Sequence, residues 1–78
     1  MHTIREEAII QIISARLKQD TRTCGQMIEV SFMDGEVLLS GTSDTEEQRE
    51  TATIIAQGTY GVRTVIDRIR VRKITQSI

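Results

Sequence analysis

MIEVSFMDGEVLLSG, residues 27–41, carries two runs of alternating apolar residues on either side of Asp34-Gly35. Asp-Gly is among the strongest formers of a two-residue type I′ hairpin, because both central positions of that turn require positive φ. With these two residues as the loop, the pairing is set. Phe32 faces Val37, Val30 faces Leu39 and Ile28 faces Gly41 on one side of the ribbon; Met33 faces Glu36, Ser31 faces Leu38 and Glu29 faces Ser40 on the other. The first face is apolar and the second mixed, and a slip of one residue would destroy that separation. An isolated hairpin is marginal in water, so its apolar face must be covered by the flanking segments.

Those segments are short. The chain has 78 residues, enough for one domain spanning 1–78 with an ordered core over about 4–72. A chain of this size buries only ~60% of the surface that it exposes when unfolded, so the core is thin. Apolar residues make up 38% and charged residues 27%, the balance of an ordinary globular domain. Phe32 and Tyr60 are the only aromatic residues. Stacking platforms for single-stranded nucleic acid are therefore missing, and a net charge of −1 gives no global attraction to phosphate, so nucleic acid is not an expected partner.

Cys24 is the sole cysteine and His2 the sole histidine, which excludes an internal disulfide and a Cys/His zinc site. The five glycines are scattered, with no glycine-rich loop opening a helix to cradle phosphate. No spacing joins a nucleophile, a base and an orienting group. No enzymatic activity, metal or cofactor is expected. The N-terminus carries Glu6 and Glu7 where a signal peptide would have a basic segment and an apolar run. The expected location is cytoplasmic if Met1 is the natural start, and periplasmic or membrane-associated if the domain is cut from a longer protein.

In chain order, Thr3 with Glu6 forms a capping-box pattern that opens a helix. Ile9, Ile13 and Leu17 lie on one stripe of it, with Ala8, Ile12 and Ala15 widening the stripe and Ile4 and Ile10 towards its edges. Residues 19–26, QDTRTCGQ, read as the loop into the hairpin, with Cys24 exposed or half-exposed. After the hairpin, Ser43 with Glu46 repeats the capping-box spacing, Ala52, Ile55 and Ala56 form a narrow stripe, and Gly58 marks the helix stop. A last strand follows from Thr64 to Arg72. It alternates Val65, Asp67, Ile69 and Val71 with Ile66, Arg68, Arg70 and Arg72, and Asp67 is a misfit on the core face. The fold class is α+β in the order α-β-β-α-β, with two helices on one face of a three-stranded sheet.

This ordered combination resembles the BON domain, the small module named for bacterial osmotically induced and nodulation proteins. The matching residues are Asp34-Gly35, Val37-Leu38-Leu39-Ser40-Gly41, Glu46-Glu47, Ala52, Ile55-Ala56, Gly61-Val62, Val65, Ile69 and Val71. They cover about residues 4–72. Thr59-Tyr60 departs from the family's preference for an aliphatic residue before Gly-Val, and Leu38 stands on the outer face, where the family is often polar. The glycines have mechanical roles: Gly41 is expected where a side chain would crowd the covering helix, and Gly61 permits a tight turn into the last strand. The resemblance implies a binding or assembly module without a catalytic motif. It also implies an association with membranes or phospholipid, with secreted, periplasmic or channel proteins, or with ring-forming secretion domains.

Two readings follow. In the first, the domain joins a protein partner or a second copy of itself through Leu38, Met33 and Ile66 on the outer sheet face together with Ile4, Ile10 and Ile54. In the second, Arg68, Arg70, Arg72 and Lys73 hold an anionic ligand such as a lipid headgroup. Glu29 and Glu36, on the same face, weaken that positive field. We favour the first.

Overall fold

The computed structural model describes residues 3–72. Helix α1 (Ile4–Gln19) is followed by strands β1 (Met27–Met33) and β2 (Glu36–Ser43), helix α2 (Glu46–Gln57) and strand β3 (Thr64–Val71). The sheet order is β1-β2-β3, with β1 antiparallel and β3 parallel to β2. A parallel neighbour cannot be reached by a tight turn, so α2 serves as the crossover and covers the sheet on the way.

The hairpin has the register expected from Asp34-Gly35, with Phe32 opposite Val37, Val30 opposite Leu39 and Ile28 opposite Gly41. Both loop residues have positive φ, 52° at Asp34 and 85° at Gly35. The turn is also fastened from outside. The Gly35 carbonyl accepts from the backbone N–H of Arg63 at 2.8 Å, and the Asp34 carbonyl accepts from the Arg63 guanidinium at 2.6 Å. One Glu6 carboxylate oxygen accepts from the Asp34 N–H at 3.2 Å, while the other accepts from Thr3 in the α1 capping box at 3.0 Å. Glu6 therefore ties the start of α1 to the tip of the hairpin.

Gly41 is required for a different reason from the one its position suggested. Its φ is 111°, and a Cβ there would run into the carbonyl oxygen of Met27 on the neighbouring strand, not into a helix. β2 also continues past it to Ser43. The α2 cap differs too. Thr45, not Ser43, is the N-cap, and its box is closed by Gln48 instead of Glu46. Ser43 is still in β2 and lends its hydroxyl to the Thr45 carbonyl. Gly58 closes α2 as expected, without a left-handed backbone, while the Thr59 hydroxyl donates to the Ile55 carbonyl at 3.0 Å.

The core lies between the sheet and the helices. Ile9, Ile13 and Leu17 of α1 meet Phe32, Val37, Leu39 and Ile69 of the strands, with Ala52 and Ala56 bringing α2 close. Asp67 faces this layer from β3 and is accommodated by polar partners. It accepts from Arg49 Nε at 2.8 Å, from the Thr53 hydroxyl at 3.4 Å and from the Ile69 N–H at 3.0 Å. A half-buried carboxylate bonded in this way costs little, whereas an unpartnered one would not be tolerated. The bond to Asp67 raises the pKa of Arg49, further securing its charge. In the connection before β1, buried Thr23 donates to the Leu17 carbonyl at 2.6 Å, and Asp20 holds Arg22 through two side-chain bonds.

Candidate interaction surface

The strand register determines what the uncovered sheet face presents. Three residues stand abreast in each row: Met33, Glu36 and Thr64; then Ser31, Leu38 and Ile66; then Glu29, Ser40 and Arg68; then Met27, Thr42 and Arg70. Leu38 and Ile66 are neighbours across the ladder, and with Met33 they line a shallow apolar hollow near the hairpin end. Leu38 is half-buried by its neighbours and Ile66 is 39% exposed. The face is thus greasy towards the hairpin, while towards the other end it carries Arg68 and Arg70 on β3 and exposed Glu29 and Met27 on β1.

Arg68 and Arg70 occupy consecutive outward positions of β3 and are exposed. Arg72 does not extend their row: it lies just past the strand, where its side chain pairs with Asp44 at 2.8 Å and its N–H donates to the Ser43 carbonyl. Glu29 stands in the same row as Arg68 but two strands away, at roughly 9.6 Å from the usual strand spacing. Lys73 lies outside the described residues.

The helix side corrects the sequence reading more substantially. Ile10 packs half-buried against the core and so is not a free contact. Ile12, assigned to the core stripe, is 49% exposed, whereas its neighbour Ile13 is 0% exposed. Ala8 and Ala15, which the periodicity places beside it in the core stripe, are exposed as well. Ile4 is 91% exposed and Tyr60 97%. Ile12, Ala8 and Tyr60 line a cleft between the first half of α1 and the α2–β3 turn, with Phe32 at its floor and Arg5 and Arg16 at its flank. The helical angles already separate most of these residues: Ile4, Ala8 and Ala15 lie more than a third of a turn from the line through Ile9, Ile13 and Leu17, whereas Ile12, about 100° from Ile13, lies at the border of the apolar arc. Tyr60 left no periodic signal, because it belongs to a turn.

Among the described residues, no group of three His, Cys, Asp or Glu side chains gathers to hold a metal ion. Cys24 is exposed; its backbone N–H donates to the Asp20 carbonyl at 2.8 Å, and its thiol makes a long contact of 3.8 Å to the Thr21 carbonyl. His2 lies outside the described residues. No helix among the described residues is long and apolar enough to cross a membrane.

Comparison with known proteins places this architecture. No curated protein matches the chain. A solved structure with a similar fold is CdsD, the structural protein of the type III secretion system of Chlamydia trachomatis, in its C-terminal domain. The superposition gives a TM-score of 0.72 at 21% sequence identity and covers 87% of this chain and 34% of the other. This chain therefore spans about a third of the length of that one, and the likeness is one of fold. The sequence model of the BON domain matches residues 5–73, nearly the whole described unit and all five of its elements. This chain belongs to the BON domain family.

Proposed function

We propose that this domain is a non-catalytic assembly module, which joins a second copy or another protein through apolar surface. The observation that carries this reading is the amount of large apolar side chain left in solvent by so small a domain. Ile4, Ile12, Ile54, Met33 and Ile66 are exposed, and they gather on the helix layer and at the hairpin end of the open sheet face. Scattered exposed apolar residues are normal, but gathered ones mark contacts. Membership of the BON family supports the same reading, as does the fold shared with a structural protein of a secretion system.

Sedimentation of the 78-residue chain over a concentration series tests it, alongside flotation with vesicles containing anionic lipid. Association through apolar surface predicts a sedimenting mass above the monomer. Paired glutamate substitutions on the greasy surfaces, Leu38→Glu with Ile66→Glu and Ile4→Glu with Ile12→Glu, should lower that mass in at least one case. Arg68→Glu with Arg70→Glu should leave it unchanged.

A second reading rests on the adjacent, exposed Arg68 and Arg70, which suit an anionic headgroup. It predicts a monomer that floats with anionic vesicles, loses them on the arginine substitutions, and loses them progressively with added salt.

A further inference from the structure

α1 carries two stripes. The inner one, Ile9, Ile13 and Leu17, builds the core. The outer one runs through Ile4, Ala8, Gln11, Ala15 and Gln19, with Ile12 beside it, and all six are exposed. No charged residue interrupts this outer stripe, and its spacing of three and four residues is that of a helix–helix seam. Ala8 and Ala15 let another backbone come close. The charges of α1 stand beside the stripe, and Arg5 and Arg16 flank it on the side towards α2.

The outward face of α2 has the opposite character. Glu46, Glu47, Glu50, Ile54 and Gln57 are all exposed there, so the face is acidic with one apolar residue near its end. The two helices lie side by side and antiparallel. The beginning of α1 shares a cleft with Gly58–Gly61, Arg16 shares one with Ile55, and Arg22 feels the charge of Glu47.

We infer that two copies of this chain pack helix layer against helix layer as a closed dimer, with α1 of each lying across α2 of the other. The inference rests on the assembly reading above and names its partner and surface. Charge selects the crossing. Setting α1 on its own copy would bring arginine flanks together, and setting α2 on its own copy would stack Glu47 and Glu50. A two-fold axis lying between the layers, parallel to the helices, exchanges the two helices and keeps their levels. It carries Ile54 of the second copy to the level of Ile12 and Arg16, Glu50 of the second copy one turn beyond, within reach of Arg16, and Tyr60 of the second copy over Ile4 and Ala8. Every contact occurs twice, and the assembly closes at two copies. Neither Arg16 nor Glu50 forms a salt bridge within the chain among the described residues, so both are available.

The test is a charge exchange between exposed positions, where folding is not at risk. Arg16→Glu alone sets a glutamate against Glu50 twice, and Glu50→Arg alone sets an arginine against Arg16 twice. Each should weaken dimerisation roughly tenfold by sedimentation, as two inverted surface pairs can. Mixed in equal amounts, the two variants should restore the dimer, since each then supplies the charge that the other lacks. A wild-type dimer that neither variant weakens, or a mixture that stays as monomers, overturns the inference. So does a dimer broken only by Leu38→Glu with Ile66→Glu, although the assembly reading survives that result. A wild-type monomer throughout the series overturns both.

Discussion

Replacing adjacent isoleucines in α1 measures the difference between its two stripes. Ile13 is completely enclosed, and Ile13→Ala deletes three carbon groups from the middle of the core. At about 0.8 kcal/mol per buried methylene, the transfer loss is about 2.4 kcal/mol. Its neighbours in the sheet cannot collapse fully into the space, and the residual cavity takes the expected cost to ~2–5 kcal/mol. A chain of 78 residues has a total stability of roughly 4–12 kcal/mol at ordinary values per residue, so this single change removes a large share of it. Ile12 is 49% exposed. Ile12→Ala therefore loses about half the transfer term, leaves no dry cavity, and regains a few tenths of a kcal/mol because alanine is the better helix former. The net cost should stay below about 1 kcal/mol. Urea unfolding followed by circular dichroism, at concentrations low enough to keep the chain monomeric, reads both values. Equal losses, or a loss below about 1 kcal/mol for Ile13→Ala, would refute the assignment of Ile13 to the core stripe and Ile12 to the outer one.

Four further outcomes are expected. Gly35→Val places a β-branched residue at a φ of 85° and should cost ~1 kcal/mol or more in the same urea assay; no change would speak against the type I′ turn. Gly41→Ala should be worse, because the strain of a φ of 111° is joined by collision with the Met27 carbonyl, and amide exchange should show β1 opening first. Asp67→Ala strips Arg49, Thr53 and the Ile69 N–H of their shared acceptor and should destabilise by about 1 kcal/mol or more, with Asp67→Asn recovering part of the loss. The hydrogen bonds and charge of Arg22 hold the Asp20 carboxyl below its ordinary pKa of 3.8. The unfolded chain then binds the extra proton first, so this contribution is full above about pH 4 and fades as the pH falls through the folded value; Asp20→Asn should flatten that part of the stability–pH curve.

The residues of the open face were readable in advance, because alternation along β1 and β3 assigns outward positions without knowing the strand order. That Leu38 and Ile66 touch was not readable, since β3 could have paired with either edge of the hairpin. The same gap hid the fate of Arg72. The alternation counted it in the basic row, but the strand ends one residue earlier and Asp44 captures it. On α1 the sequence showed an apolar arc too wide for one sheet, but only the packing separated Ile10 on the core from Ile12 in the cleft. Both lie near the border of the arc, where the position of the neighbouring element decides.

The sequence by itself determined whatever depends on residues close in the chain. Asp34-Gly35 specified the turn and hence the β1–β2 register, Thr3 and Glu6 specified the start of α1, and the change from period two to helical period specified the order of elements. Tertiary structure decided what depends on residues far apart: the parallel docking of β3 beside β2, the ion pair that makes Asp67 acceptable against the core, and the approach of Met27 that forbids a side chain at Gly41. It also decided the shift of the α2 cap to Thr45, because the β2–β3 ladder holds Ser43 extended through its pairing with Val71. A local capping signal has only about 1 kcal/mol behind it, and a paired strand outweighs it.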